Sequence, residues 1–233
     1  MIQQKHKILK EAYSIISELW CSPQDVDMET VRKEAEKISY PVPANADSNE
    51  NVLANGENFG GAAYSLYEFL QTEIIPEEDY IELFELNPDC SLYVGSHSYE
   101  EPKTCAGGAV SDRNEYMIEL QAIYRHFGME LEGRELADYL PVMIDFLSLT
   151  VDRDDDPLRE KFMKEYLLPY LPPVRKKLEE LNTIYWHLLD AVERLANYDL
   201  QLSGSTDSET LQTTEYGKQT ENINQKKIKT YVG

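Results

Sequence analysis

Apolar residues recur at helical spacing along most of the first 200 positions of the chain. The first such segment places Ile8, Ala12, Ile15, Ile16 and Leu19 on one face, as an amphipathic helix does. Similar patterns, with breaks at Pro, Gly and Asn, predict further helices near residues 28–39, 63–74, 76–86, 111–127, 138–149, 158–168, 172–181 and 182–200. The sequence therefore predicts an all-α, single-domain helical bundle of about seven to nine helices.

The stretch from Glu135 to Leu147 predicts the central helix of this bundle. We expect Asp138 to be its N-cap, since an Asp carboxylate can accept hydrogen bonds from the free N–H groups of a first turn. The residues that follow are apolar around most of the circumference, which is typical of a helix buried on several sides. Asp138, Asp145, Ser148 and Asp152 form one narrow polar stripe. We expect the start of the stripe to line a groove, and Ser148 and Asp152 to form a wet edge.

Residues 201–233 differ in composition from the body of the chain. They have few large apolar side chains and much Ser, Thr, Gln and Asn. We therefore divide the chain into an all-helical domain at 1–200 and a disordered or partner-dependent tail at 201–233. Within the domain only Ser91 to Val94 has local β character, and it is too short to form a sheet.

The chain is strongly acidic, with 43 Asp and Glu against 22 Lys and Arg and a net charge of −21. Charges balance after residue 200, so the body carries the whole excess. Such a surface repels nucleic acid and anionic membranes and attracts basic ligands. No apolar run predicts membrane insertion, and no signal peptide is recognisable. Three widely spaced cysteines offer no disulfide framework, which favours a reducing, cytoplasmic location.

The sequence contains no catalytic constellation and no set of metal ligands. The acidic run at 152–156 begins like a calcium loop, but Pro157 and Met163 stand where that loop needs Gly and Glu. None of the histidines follows a Glu by three residues, as di-iron bundles require. Glu115 and Glu119 are helical neighbours, and we expect them on a solvated face rather than at a catalytic centre. The pattern favours binding over catalysis, without metal or cofactor.

Three blocks of the sequence resemble a family of chaperones. The blocks are Tyr80 to Phe84 with Asn87-Pro88 and Ser91 to Tyr93 behind it, Tyr124 to Gly128, and Glu135 to Pro141. Their order and spacing resemble the nitrate reductase delta subunit branch of the TorD/DmsD/NarJ chaperones, over roughly residues 5–200. The resemblance implies a TorD-like, cytoplasmic protein, monomeric or a domain-swapped dimer, that is not an enzyme. It implies binding to the N-terminal leader and apo form of a molybdenum oxidoreductase catalytic subunit until the molybdopterin cofactor is inserted.

The same resemblance implies which residues contribute to the leader-binding groove. They are Tyr80, Leu83, Phe84, Asp138, Tyr139, Leu140 and Pro141. A leader has a basic end and an apolar helix, so an acidic and aromatic groove would suit it. Plain core packing is the alternative interpretation of Leu83, Phe84 and Leu140. The alternative function is that of an acidic helical adaptor or ligand-sensing regulatory protein that uses this surface for another partner.

Overall fold

The computed structural model describes residues 2–38, 57–99, 111–131, 135–206 and 226–228. Its elements, in chain order, are α1 (Ile2–Leu19), α2 (Met28–Ile38), α3 (Glu57–Gln71), α4 (Glu77–Phe84), a 3-10 turn (Val94–His97), α5 (Asp112–His126), β1 (Met129–Leu131), α6 (Leu140–Leu149), a 3-10 turn (Val151–Arg153), α7 (Pro157–Lys161), α8 (Leu171–Glu180), α9 (Tyr185–Thr206) and β2 (Lys226–Ile228). A π-helical turn (Phe162–Leu167) and a 3-10 turn (Leu168–Tyr170) join α7 to α8. The predicted all-α domain is confirmed. None of the described helices is long and apolar enough to span a membrane.

Helix α6 lies at the centre of the bundle, and its residues from Leu140 to Ser148 are all buried. Helix α1 packs along it, where the Ser17 hydroxyl donates to the Pro141 carbonyl at 3.0 Å and the Ser148 hydroxyl donates to the Lys10 carbonyl at 3.0 Å. The predicted wet edge is therefore wrong for Ser148, because α1 covers that side of the helix. Asp152, beyond the end of α6, is exposed as expected.

A buried ion pair ties α9 to α7. Both Arg159 and Asp199 are almost completely inaccessible to solvent, at 0% and 1% exposure. The guanidinium donates to both carboxylate oxygens, at 2.9 and 2.7 Å, and to Thr150 Oγ1 at 3.1 Å. The Tyr13 hydroxyl of α1 donates to the same carboxylate at 2.9 Å. This network joins three helices inside the core.

Two helix ends show where local signals succeed and fail. Gly128 follows α5 with φ of 73° and donates to the Arg125 carbonyl at 2.9 Å, as expected of a glycine that ends a helix. Asn182, the first residue of the helix predicted at 182–200, has φ of 50° and ends α8 instead. Asn tolerates this left-handed conformation better than most residues do. The helix α9 then begins at Tyr185.

The C-terminal part of the chain contributes more structure than its composition suggests. Helix α9 continues past the expected boundary at residue 200 to Thr206. Farther along, β2 pairs in parallel with β1, with Lys227 in register with Glu130. The remaining residues of the expected tail lie outside the described part of the chain, as does Cys105.

Candidate functional site

The backbone brings the segment ahead of α6 against the segment after α4. Tyr93 and Tyr139 form an isolated antiparallel bridge. The Val94 N–H donates to the Asp138 carbonyl at 3.0 Å, and the Leu140 N–H donates to the Leu92 carbonyl at 2.9 Å. The short β character expected at Ser91 to Val94 is thus used for a single bridge. It aligns two segments that belong to different blocks of the resemblance.

Tyr80 and Phe84 of α4 form the floor of this site and are buried. The Phe84 ring packs 4.8 Å from Tyr185 and 5.9 Å from Trp20, measured between ring centroids. The Tyr80 hydroxyl donates to the Trp20 carbonyl at 2.8 Å. Leu83, on the same helix, is only partly buried against the core. Tyr80 and Phe84 are therefore core residues in this conformation, and a ligand would contact the more exposed residues of the site.

Leu140 and Pro141 are also buried at the start of α6. The Pro141 carbonyl is engaged by α1 through Ser17. Their role in this conformation is to anchor the segment rather than to present a surface. Tyr139, one residue earlier, is the part of the segment that remains partly accessible.

Asp138 anchors the same segment but does not cap the helix. Helix α6 begins with Tyr139 at its N-cap position, so the expected N-cap role of Asp138 is wrong. Its buried Oδ2 instead accepts hydrogen bonds from the Gly95 N–H at 3.2 Å and from Arg113 Nη2 at 3.3 Å. Burial raises the pKa of the Asp138 carboxyl, and the guanidinium of Arg113 offsets part of that rise. These partners are distant in sequence, so a local capping signal could not reveal them.

Tyr139 and Tyr93 form the aromatic wall of the site. Their ring centroids are 5.2 Å apart, and the Tyr93 hydroxyl donates to Glu135 Oε2 at 2.6 Å. Burial, followed by the field of the Glu135 carboxylate, raises the pKa of the Tyr139 hydroxyl. Burial raises the pKa of the Tyr80 hydroxyl as well, and the hydroxyl of Tyr139 raises it further. This electrostatic interaction places Tyr80 of α4 near Tyr139 of the segment that precedes α6.

Three carboxylates lie close enough to Glu85 to repel it, those of Asp25, Glu77 and Glu135, and we call these four residues the acidic rim. Glu85 and Glu135 also act on the Tyr139 hydroxyl. Burial raises the pKa of Glu85 first, and repulsion from the other three carboxylates raises it further. Glu77 Oε1 accepts from the Ser22 hydroxyl at 2.6 Å. Its Oε2 is buried and has no hydrogen-bond partner among the described residues. The rim therefore concentrates negative charge and offers an acceptor to a cationic donor.

Two exposed leucines adjoin the rim. Leu86 follows Glu85 and is 78% exposed, and Leu136 follows Glu135 and is 45% exposed. Large apolar side chains with this exposure next to partly buried tyrosines suit contact with an apolar peptide side chain. The sequence interpretation missed Tyr93, Glu85 and both leucines as site residues. Tyr93 and Leu136 lie within the recognised blocks, and Glu85 and Leu86 directly follow one, which is the signal that could have suggested them.

The described residues contain no candidate metal site. No group of three or more His, Cys, Asp or Glu side chains among them could hold a metal ion. Glu115 and Glu119 are exposed on α5, and Glu119 accepts a hydrogen bond from the Tyr166 hydroxyl. The arrangement at the acidic rim can bind a cationic and apolar segment.

Comparison with known proteins identifies sequences similar to the part of the chain that contains the candidate site. The family model of the nitrate reductase delta subunit matches residues 57–176, which run from α3 into α8. The chain is 29% identical over 136 residues to the probable nitrate reductase molybdenum cofactor assembly chaperone NarW of Escherichia coli (strain K12), covering 58% of this chain and 52% of that protein. It is 28% identical over 122 residues to the nitrate reductase molybdenum cofactor assembly chaperone NarJ of the same strain, covering 52% and 46%. The chain thus spans about half the length of the curated relatives it matches.

Proposed function

Because the chain belongs to the nitrate reductase delta subunit family, we propose that it is a cytoplasmic assembly chaperone for a molybdenum oxidoreductase and not itself an enzyme. The resemblance noted in the sequence is confirmed by the family match, and the relatives are named as molybdenum cofactor assembly chaperones. We further propose that this protein binds the N-terminal leader of the catalytic subunit and holds the apo form until the cofactor is inserted.

The acidic rim is the observation that carries the leader-binding proposal. A basic leader end would be attracted by the carboxylates of Glu85 and Glu135, and its apolar part would contact Leu86, Leu136 and Tyr139. Asp138 acts behind this surface, because it fixes the backbone that presents Tyr139. Tyr80 and Phe84 support the surface from below. Among the residues derived from the sequence, Tyr139 would thus contact the leader, whereas Tyr80, Phe84 and Asp138 would support the surface.

Titration of the full-length chain with a synthetic leader peptide tests the proposal. The peptide is the N-terminus of a molybdopterin oxidoreductase catalytic subunit from the same source, and a scrambled peptide is the control. We expect a dissociation constant near or below the micromolar range, equivalent to about −8 kcal/mol. Equal binding of the scrambled peptide, or none of the leader at tens of micromolar, would contradict leader recognition.

Surface variants locate the contact without disturbing the core. We expect Leu86→Ser and the pair Glu85→Gln with Glu135→Gln to weaken leader binding, because both change exposed or half-exposed groups of the site. Glu165→Gln with Glu180→Gln is the matched charge control for the pair, since it neutralises two exposed carboxylates that each lie 3.8 Å from a lysine, Lys161 and Lys176. Leader affinity that falls equally in the control would show a general charge effect and not a specific rim.

A further inference from the structure

The C-terminal segment of the chain returns to the folded body as a β-strand. Strand β2 pairs in parallel with β1, in the register Met129 with Lys226, Glu130 with Lys227 and Leu131 with Ile228. It also contacts α6, the helix whose start carries the candidate site. The expected tail thus supplies a strand that pairs with β1, and the sequence pattern does not predict this pairing.

This pairing is short enough to open readily. Each strand has three residues, and an isolated two-stranded sheet is marginally stable in water. Residues 207–225 nevertheless connect β2 covalently to α9, so the effective concentration of β2 at its partner strand is high. Weak pairing and a high local concentration together produce a contact that is well populated yet displaceable.

The end of the tail has the chemistry that the acidic rim favours. From Asn222 to Gly233 the sequence contains three lysines and no acidic residue, along with apolar side chains such as Ile223, Ile228 and Val232. The body of the protein carries the net charge of −21. A basic and partly apolar segment of the chain itself therefore matches, in charge and in apolar character, the leader proposed as ligand.

Strand β1 is close to the candidate site in space and in sequence. Leu131 is four residues from Glu135 of the acidic rim, so their Cα atoms are at most about 14 Å apart. A cavity of about 340 Å³ borders β1 and is lined in part by Tyr124. The Tyr124 hydroxyl donates to the Ala137 carbonyl at 2.8 Å, immediately before Asp138. The strand on which β2 docks therefore ends within about 14 Å of the acidic rim.

We propose that β2 is an internal competitor of the leader peptide: the basic tail docks on the edge of β1 in the free protein and must leave before a leader occupies the adjoining site. The inference rests on the proposed leader-binding function. It gives the chain a means of lowering its affinity for weakly basic or truncated segments. A tail docked in about nine molecules of ten would raise the apparent dissociation constant about tenfold.

Two proline substitutions in the full-length chain test the competition. Successive N–H groups of a strand point to opposite sides, so Lys227→Pro with Ile228→Pro removes the donor that faces β1, whichever of the two it is. Lys218→Pro with Gln219→Pro makes the same change of charge and adds two prolines outside β2. The measurements are hydrogen exchange of the Glu130 and Leu131 amides and calorimetric titration with the leader peptide.

We expect the strand variant to lose protection at Glu130 and Leu131 and to bind the leader up to about tenfold more tightly, while the control variant matches the wild type. Unchanged amide protection in the strand variant overturns the proposal, because the protection of Glu130 and Leu131 then does not come from pairing with β2. Lost protection with unchanged affinity overturns it too, because the tail then docks without competing. If neither the variants nor the wild type bind the leader, the proposed leader-binding function fails as well. That result is distinguishable from equal binding by all of them, which overturns only the competition.

Discussion

The buried ion pair between Arg159 and Asp199 allows a quantitative prediction about folding. Asp199→Asn preserves the shape of the side chain but removes its charge. Arg159 would then be left as a buried cation with only neutral acceptors, namely the amide oxygen that the substitution leaves, Thr150 Oγ1 at 3.1 Å and the Leu147 carbonyl at 3.3 Å. The Tyr13 hydroxyl would also lose its charged acceptor. We therefore expect the substitution to lower the free energy of unfolding strongly.

The magnitude follows from burial and geometry. Removing one member of a buried pair typically costs about 3–5 kcal/mol, since the remaining charge is neither solvated nor neutralised. Both side chains are at most 1% exposed, and two hydrogen bonds of 2.9 and 2.7 Å join them, so the full range applies. Domains of this kind are stable by about 5–15 kcal/mol in total. Asp199→Asn should therefore remove a large share of the stability.

Urea denaturation followed by circular dichroism measures this loss as a shift of the midpoint. The control is Glu29→Gln, which breaks an ion pair of similar length, since Glu29 Oε1 lies 2.6 Å from Lys33 Nζ. The side chains of Lys33 and Glu29 are 65% and 79% exposed. Its midpoint should hardly move, because exposed pairs contribute little. An Asp199→Asn effect as small as that of the control would refute the reasoning.

Replacement of the whole network separates the cost of an orphaned charge from the value of the pair. We expect Tyr13→Phe with Arg159→Met and Asp199→Leu to be much less destabilised than Asp199→Asn, since apolar side chains of similar volume leave no buried charge. A triple variant less stable than the single one would show that the network itself stabilises the fold.

Three further predictions concern the site and its supports. Gly95→Ala should cost about 1–3 kcal/mol in urea denaturation, because the new Cβ would lie 2.7 Å from Asp138 Oδ2 and 3.2 Å from the Tyr116 ring. Ser148→Ala should cost about 1 kcal/mol in the same assay through loss of its hydrogen bond to the Lys10 carbonyl, and an unchanged midpoint would contradict that bond. The raised pKa of Glu85 predicts that leader affinity increases as the pH rises above 4.5 through that pKa, since only the carboxylate attracts a cation, and Glu85→Gln should flatten this dependence in titrations at several pH values.

Local sequence patterns were sufficient for the helical elements because each depends on residues within a few positions of one another. The face of Ile8 to Leu19 gave α1, and Gly128 ended α5. They failed where two local roles compete. Asn182 suits both an N-cap and a left-handed helix end, and only the packing of α8 against α9 selects the second.

The candidate site was recognised by its blocks, but its working surface was not. Phe84 carries the resemblance and yet lies in the floor, because the ring of Tyr185, far along the chain, packs against it. The negative charge of the body is evident from composition alone. Its concentration where Glu85 meets Glu135 depends on the bridge between Tyr93 and Tyr139.

The sequence by itself determined the all-helical class, the acidic body and a central helix buried on several sides, since periodicity and charge are properties of neighbouring residues. The tertiary structure decided the contacts of that helix and of the segment that precedes it. It covers Ser148 with α1, engages Asp138 with Gly95 and Arg113, and seats β2 on β1. Each of these contacts joins residues far apart in the chain, whose pairing is set by the packing of the whole bundle and leaves no local trace.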